Sequence, residues 1–198
     1  MPRMLDLYSG LGGASEAFVK AGWEVVRLDN NPLLEGIPHT EMCDILQINP
    51  QSYFGERYFD FVWASPPCVE FSTAFSAPPI VAKREGREFT PNLDCLRKAK
   101  EIIDYLNPEH WVIENVRGAR EFFSKELQQP PRQIVNQFYL WGKFPFIHID
   151  SNWRHSKYDG DAWSSDPLRA NKRGKIPLEI STAFLRELTN QTTLEGWL

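Results

Sequence analysis

Short apolar runs alternate along the chain with stretches whose apolar positions recur every three to four residues. Met4 to Tyr8 is the first run, and it breaks into Ser9-Gly10-Leu11-Gly12-Gly13. Ala17, Phe18 and Ala21 then share one face of a helix predicted over Ala14 to Ala21. Gly22 closes that helix, and Trp23 to Leu28 reads as a strand ending at Asp29. Strand, glycine turn, helix and strand make a β-α-β unit with a right-handed crossover and parallel pairing.

Farther on, Phe59 to Trp63 is a third strand, and Leu96, Ala99, Ile103 and Leu106 predict a helix over Leu93 to Leu106 that Pro108 ends. His110 to Ile113 is a fourth strand. Pro50 to Arg57 reads as a polar connection, and Ala74 to Thr90, charged and without period, as a surface loop long enough for a lid. Phe138 to Gly142 and Phe144 to Ile149 read as two strands about a short turn, and Glu179 to Leu188 as a closing helix; residues 150–175 show no period. Alternating strands and helices predict an α/β fold with a mostly parallel central sheet and helices on both faces. No repeat or linker divides the chain, so one domain is expected over residues 1–198.

The candidate chemistry sits where these strands end. In Ala64-Ser65-Pro66-Pro67-Cys68-Val69-Glu70-Phe71-Ser72 the two prolines remove two backbone donors and stop the strand. The chain must leave in a stiff extended turn with Cys68 at its tip, which makes Cys68 a candidate nucleophile. Equally, Pro-Pro ends a strand and Cys68 is a small buried apolar residue. Glu114-Asn115-Val116 follows the fourth strand. Ligands of parallel sheets bind outside the carboxyl ends of the strands, so the glycine loop, Asp29, Cys68 and Glu114 are expected on one rim. There Asp29 is placed to hydrogen-bond a ribose diol.

In this order the three pieces resemble the cytosine-C5 DNA methyltransferase family, with its D-x-F-x-G-x-G-G loop, P-C nucleophile motif and E-N-V strand end. The resemblance runs from Leu5 to about Gly118. It implies a Rossmann-like class I methyltransferase fold and S-adenosyl-L-methionine as cofactor. Tyr8, Ser9, Gly10, Gly12, Gly13, Asp29, Asn30, Asp44, Ile45 and Pro66 are then the expected cofactor residues, and Asp44 reads equally as a turn or capping aspartate. Cys68 and Glu114 are the expected catalytic pair, with Pro67, Ser72, Asn115 and Arg117 at the substrate. The implied reaction is methyl transfer to C5 of cytosine, in DNA, through a covalent Cys68 adduct at C6. For Glu114, a salt bridge to Arg117 or Arg120 is the competing reading.

Composition changes this picture in two places. The net charge of −4 does not advertise a nucleic-acid binder, although Lys83 to Arg87 and Leu168 to Lys175 are locally basic. Three widely spaced cysteines, Cys43, Cys68 and Cys95, with four scattered histidines suggest neither disulfides nor metal. The opening residues lack a signal-peptide core and no run is long enough to span a bilayer, so a cytoplasmic protein is expected, in the host cytoplasm if it is viral.

The sequence also departs from the family. Val69 stands where glutamine is usual, and the Q-x-R-x-R pattern keeps Gln133 but has Val135 and Gln137 in place of its arginines, for which Arg117 or Arg132 are candidate substitutes. Residues 151–175, with Trp153, Arg154, His155, Lys157, Tyr158 and Trp163, take the place of a target-recognition domain, and Lys175 to Ser181 matches the last motif poorly. Three alternatives follow. One is a catalytically degenerate or partner-dependent subunit that binds cofactor or nucleic acid, with a partner supplying target recognition. The others are a methyltransferase acting on RNA or a free cytidine nucleotide, and an α/β enzyme binding NAD through Asp29.

Overall fold

The computed structural model describes residues 1–56, 58–155 and 165–195. Its strands are β1 (Arg3–Leu7), β2 (Glu24–Asp29), β3 (Thr40–Met42), β4 (Phe61–Ala64), β5 (His110–Asn115), β6 (Gln133–Val135) and β7 (Phe138–Lys143). Between and after them lie the helices α1 (Glu16–Lys20), α2 (Pro50–Phe54), α3 (Pro78–Arg84), α4 (Asp94–Leu106), α5 (Arg120–Glu126), α6 (Arg169–Gly174) and α7 (Leu178–Glu195). The strands form one seven-stranded sheet in the order β3-β2-β1-β4-β5-β7-β6. The first five run parallel, while β7 is antiparallel to β5 and β6 to β7. This is the expected mostly parallel Rossmann-like sheet.

Register decides where the site lies. Leu7 is level with Leu28 on one side and with Ala64 on the other, and Ala64 is level with Ile113. The loops that follow β1, β2, β4 and β5 therefore leave the sheet at one rim. From β1 the chain winds outward to β2 and β3, then returns to lay β4 on the opposite side of β1. The strand order thus reverses between β1 and β4, the place where open α/β sheets form a ligand crevice.

Alternate side chains of each strand enter two separate cores, because successive residues face opposite sides of a sheet. Leu5, Leu7, Val62, Ala64 and Ile113 pack under Ile45, Phe54, Leu96, Ile103 and Phe123, which come from the α2, α4 and α5 side. Met4, Phe61, Trp63, Val112 and Leu140 pack under Phe18, Ile180, Ala183 and Phe184 from α1 and α7. Phe184 stacks on Phe61 at 5.7 Å and meets Trp63 edge-on at 5.2 Å. Burial on both faces explains why these strands read as mostly apolar runs.

Several expectations are corrected. The stretch over Ala74 to Thr90 contains α3, which opens on Pro78-Pro79, residues suited to a first turn, and buries only Ala82. One buried position leaves no period to read. Pro50 to Phe54 is the helix α2, capped by the Asn49 side chain accepting from Ser52 N, and β3 pairs beyond β2.

Residues 144–149 are not a strand. The hairpin partner of β7 is β6, and the Gln133 side-chain amide brackets Ile147, accepting its N–H at 3.0 Å and donating to its carbonyl at 2.8 Å. Within residues 150–175 lies α6, which buries nothing and so shows no pattern, while α7 runs well past Leu188 to Glu195. Among the described residues no helix is long and apolar enough to cross a membrane.

Candidate functional site

One wall of the crevice is the loop after β1. Ser9 N donates to Leu28 O at 3.1 Å, then Gly10 N donates to Asp29 Oδ2 at 2.8 Å, while Asn31 N reaches Oδ1 at 2.9 Å. The Asp29 carboxylate therefore ties the glycine loop to the end of β2, and each oxygen keeps a further lone pair for a ligand. Tyr8 holds a left-handed backbone (φ 57°) and its hydroxyl donates to Cys95 O at 3.0 Å, anchoring the loop to the start of α4. Burial pushes the Tyr8 hydroxyl well above its ordinary range, so it remains a donor.

The three glycines differ in what requires them. A Cβ on Gly12 would stand 2.4 Å from the Arg27 guanidinium carbon, and one on Gly13 2.3 Å from Ile176 O. Packing of the chain itself demands those two. Gly10 has only Asn171 Nδ2 within 4 Å of that position, at 3.7 Å, and it is where the backbone lies open to a ligand.

Beneath the loop lies a polar network that the sequence reading overlooked. Ser15 Oγ donates to Asp6 Oδ2 at 2.6 Å and accepts from Arg27 Nε at 2.8 Å, while Arg27 also donates to the carbonyls of Gly12 (3.1 Å) and Pro38 (2.8 Å). Asp6 is 1% exposed and its Oδ1 has no partner. Burial pushes its carboxyl up to about 7 against the opposing pull of Ser15 and Arg27. A charged residue inside each of two apolar runs, Asp6 and Arg27, was the available signal. Asp6 is also the first residue of the D-x-F-x-G-x-G-G pattern.

The opposite wall is the turn after β4. Ser65 N donates to Leu7 O at 3.1 Å, carrying the β1 pairing one residue further. The chain then turns through buried Pro66 and exposed Pro67 to half-buried Cys68, which starts the 3₁₀ turn Val69–Phe71. Phe71 is wedged edge-on against Phe123 at 5.2 Å. A Cβ on Gly118 would stand 2.0 Å from Phe71 O, so the loop after β5 presses directly on the turn that carries Cys68.

Two residues at the end of β5 complete this wall. Asn115 is fully buried, donates to Pro66 O at 2.9 Å and accepts from Val116 N at 2.9 Å. Its amide therefore holds the turn in place. Glu114 is 7% exposed, and its Oε2 accepts from Ser65 Oγ at 3.0 Å, while Ser65 Oγ accepts from Trp63 Nε1 at 2.8 Å. Arg117 and Arg120 are both exposed. Half-buried Ser72 accepts from Ala74 N at 3.1 Å and shapes the following loop.

The remaining expected positions lie around this crevice. Exposed Asp44 accepts from Leu46 N at 3.1 Å, so it does cap a 3₁₀ turn, and Ile45 beside it is buried. Asp44 is kept close to Asp29 because Cys43 N donates to Asp29 O at 2.9 Å. A cavity of about 140 Å³ opens between Leu46, Pro66, Val69, Glu70 and Cys95. Asn30 is exposed, and next to it Asn31 Nδ2 donates to Asn171 Oδ1 at 3.3 Å, drawing α6 across the glycine loop. No sequence signal marked Asn171, because α6 has no apolar face.

Other candidates prove to be occupied. Arg132 Nε donates to Phe144 O and its guanidinium lies 4.8 Å over Phe146. Lys172 pairs with Asp166 and Lys175 with Glu16, which neutralises part of the basic stretch ending at Lys175. Trp153 stacks on His155 at 5.9 Å, while Lys157, Tyr158 and Trp163 lie outside the described residues. Burial pushes the Cys43 and Cys95 thiols up, away from reactivity. Among the described residues no group of three or more His, Cys, Asp or Glu could hold a metal.

Comparison with known proteins gives the family. Residues 2–139 match the family model for C-5 cytosine-specific DNA methylase. A probable DNA (cytosine-5)-methyltransferase of Frog virus 3 is 34% identical over 140 residues, covering 68% of this chain and 62% of that protein. The type II methyltransferase M.HgiDI of Herpetosiphon aurantiacus is 30% identical over 69% of this chain and 43% of its own length. A tRNA (cytosine(38)-C(5))-methyltransferase of Rattus norvegicus is 27% identical over 59% of this chain and 30% of its own. The chain thus spans from under a third to under two thirds of these relatives.

Proposed function

Because the chain belongs to the C-5 cytosine-specific DNA methylase family, whose members use S-adenosylmethionine, we propose that it transfers a methyl group to C5 of cytosine in DNA, with Cys68 as nucleophile. The observation that carries this reading is the tie between the turn that leads to Cys68 and the end of β5: Asn115 holds the Pro66 carbonyl while Ser65 bridges to the Glu114 carboxyl. Residues 1–198 act as one catalytic domain, with 151–175 in place of a separate recognition domain.

Cytosine C5 is too weak a nucleophile to take a methyl group unaided. The Cys68 thiolate forms a bond to C6 while Glu114 gives a proton to N3, which makes C5 an enamine carbon. The cofactor supplies an electrophilic methyl group. Loss of the C5 proton to a solvent base then lets the C6–S bond break while N3 returns its proton to Glu114, restoring the ring, the acid and the thiolate. A free thiol has a pKa of about 8.5, so the turn must favour the thiolate, and Glu114, at 7% exposure, must be protonated when it acts.

The residues present fit the cofactor. Gly10 offers open backbone, the remaining lone pairs of Asp29 suit a ribose diol, and Pro66 lines the cavity with Leu46, the residue that follows Asp44 and Ile45 in the chain. Tyr8, Ser9, Gly12 and Gly13 fix the shape of the loop itself. DNA is favoured as substrate by the higher identity to the viral DNA enzyme. An RNA target is the second reading, favoured by similarity to the tRNA enzymes.

The test is transfer of labelled methyl from S-adenosylmethionine to duplex DNA, single-stranded DNA, tRNA and deoxycytidine monophosphate, with Cys68→Ala as control. Label in DNA that the variant loses is the expected result; label confined to tRNA or nucleotide replaces the substrate. Cofactor binding without label in any arm would overturn the proposal in favour of a partner-dependent or degenerate subunit.

A further inference from the structure

Ser65 joins the turn that leads to Cys68 to the Glu114 carboxyl, and its own role there follows from how it is held. Its backbone is fixed, because Ser65 N donates to Leu7 O at 3.1 Å at the end of the β1–β4 pairing. Its hydroxyl is fixed as well. An indole N–H can only donate, so the contact from Trp63 Nε1 at 2.8 Å makes Ser65 Oγ an acceptor there. A hydroxyl has one hydrogen to give, and it lies on the line to Glu114 Oε2, 3.0 Å away. Trp63 is itself held in the α7-side core by Phe61 and Phe184, so the chain of donors starts from a rigid point.

This direction has a consequence for the carboxyl. In a neutral carboxyl group the carbonyl oxygen is the better acceptor and the hydroxyl oxygen carries the proton. We propose that Ser65 is a positioning residue: held by Trp63, it keeps Glu114 Oε2 as the acceptor, so that the proton of neutral Glu114 resides on Oε1 and is delivered from there to the base. Two effects follow. The carboxyl plane is locked, and rotation that would exchange its oxygens is opposed. Without Ser65 the constraint on Oε2 is lost, and only one placement of the proton is productive.

The inference rests on Glu114 acting as the acid, so two measurements separate the ideas. Turnover comes first. Ser65→Ala is expected to lower kcat about tenfold or more while KM for S-adenosylmethionine stays within about twofold, and Ser65→Thr, which restores a hydroxyl at that carbon, should return kcat to within about threefold. Wild-type kcat in Ser65→Ala beside an inactive Glu114→Gln would overturn the positioning role and leave the acid in place. Full activity in Glu114→Gln would instead overturn the acid.

The second measurement needs no turnover. The ¹H–¹⁵N indole resonance of Trp63, assigned by Trp63→Phe, should move in Glu114→Gln, and that response should vanish when Ser65→Ala is also present. A Trp63 indole that does not respond to Glu114→Gln, in a protein that is folded by thermal unfolding, overturns the relay whatever the enzyme turns over.

Discussion

Asn115 donates its side-chain N–H to the Pro66 carbonyl at 2.9 Å, joining the last residue of β5 to the turn that carries Cys68. Proline had removed the donors with which that turn could have joined the sheet through its own backbone. A side chain from the neighbouring strand supplies the missing link, and it does so from a position that is 1% exposed.

Removing this link should loosen the nucleophile more than the fold. For Asn115→Ala we expect turnover to fall about 10- to 100-fold and stability by about 1–2 kcal/mol, with cofactor affinity within about twofold. Steady-state kinetics, urea unfolding and calorimetric titration with S-adenosylmethionine check this. Full turnover would show that the turn stands without its strut.

Cys68 itself is half-buried at the tip of the turn and belongs to neither hydrophobic core. Cys68→Ala should therefore abolish methyl transfer while Tm changes by no more than about 2 °C. An unfolded variant would assign Cys68 to packing, and an active one would reject thiolate chemistry.

Gly118 meets the same turn from the other side. Its added Cβ would lie 2.0 Å from a backbone oxygen, that of Phe71, which cannot swing aside as a side chain would. Gly118→Ala is expected to cost about 1–3 kcal/mol and to lower turnover at least about tenfold through displacement of the 68–71 segment. Thermal unfolding with kinetics tests it; unchanged values in both would mean that the two loops part without cost.

Asp6 predicts a pH dependence. Its carboxyl rises from an ordinary 3.8 to about 7 on folding, chiefly through burial, so the folded chain binds this proton more tightly than the unfolded chain. Its stabilising contribution is complete below pH 3.8, falls as pH rises, and is lost beyond about 7. The size is on the order of a few kcal/mol. Asp6→Asn stays uncharged and its amide still offers Ser15 an acceptor, so the variant should lose this fall between pH 5 and 8. Urea unfolding of both proteins over that range gives the difference, and parallel curves would mean that Asp6 does not titrate there.

Most of the sheet was readable because its strands are buried on both faces: Phe61 to Ala64 is an unbroken apolar run, and Met4 to Leu7 is apolar except for Asp6. The β1–β2 and β4–β5 pairings follow from helices lying between parallel strands. The elements that were missed are those with little apolar surface. β6 has three residues, α3 buries only Ala82, and α6 buries none. Phe144 to Ile149 read as a strand from its apolar content alone, yet Gln133 holds it through a side chain.

The sequence by itself determined the rim: the order of strands and helices, the stops at Gly10 and Pro66, and so the meeting of Asp29, Cys68 and Glu114 at the carboxyl ends of parallel strands. These are local consequences of periodicity, proline and glycine. Tertiary structure alone decided what each polar group does there. Ser65 belongs to Glu114, Asn115 to Pro66, Asp6 to Ser15 and Arg27, and Asn171 to Asn31 across 140 positions of chain. A hydrogen bond depends on ångströms and angles between groups that only packing brings together, and no spacing along the chain encodes them.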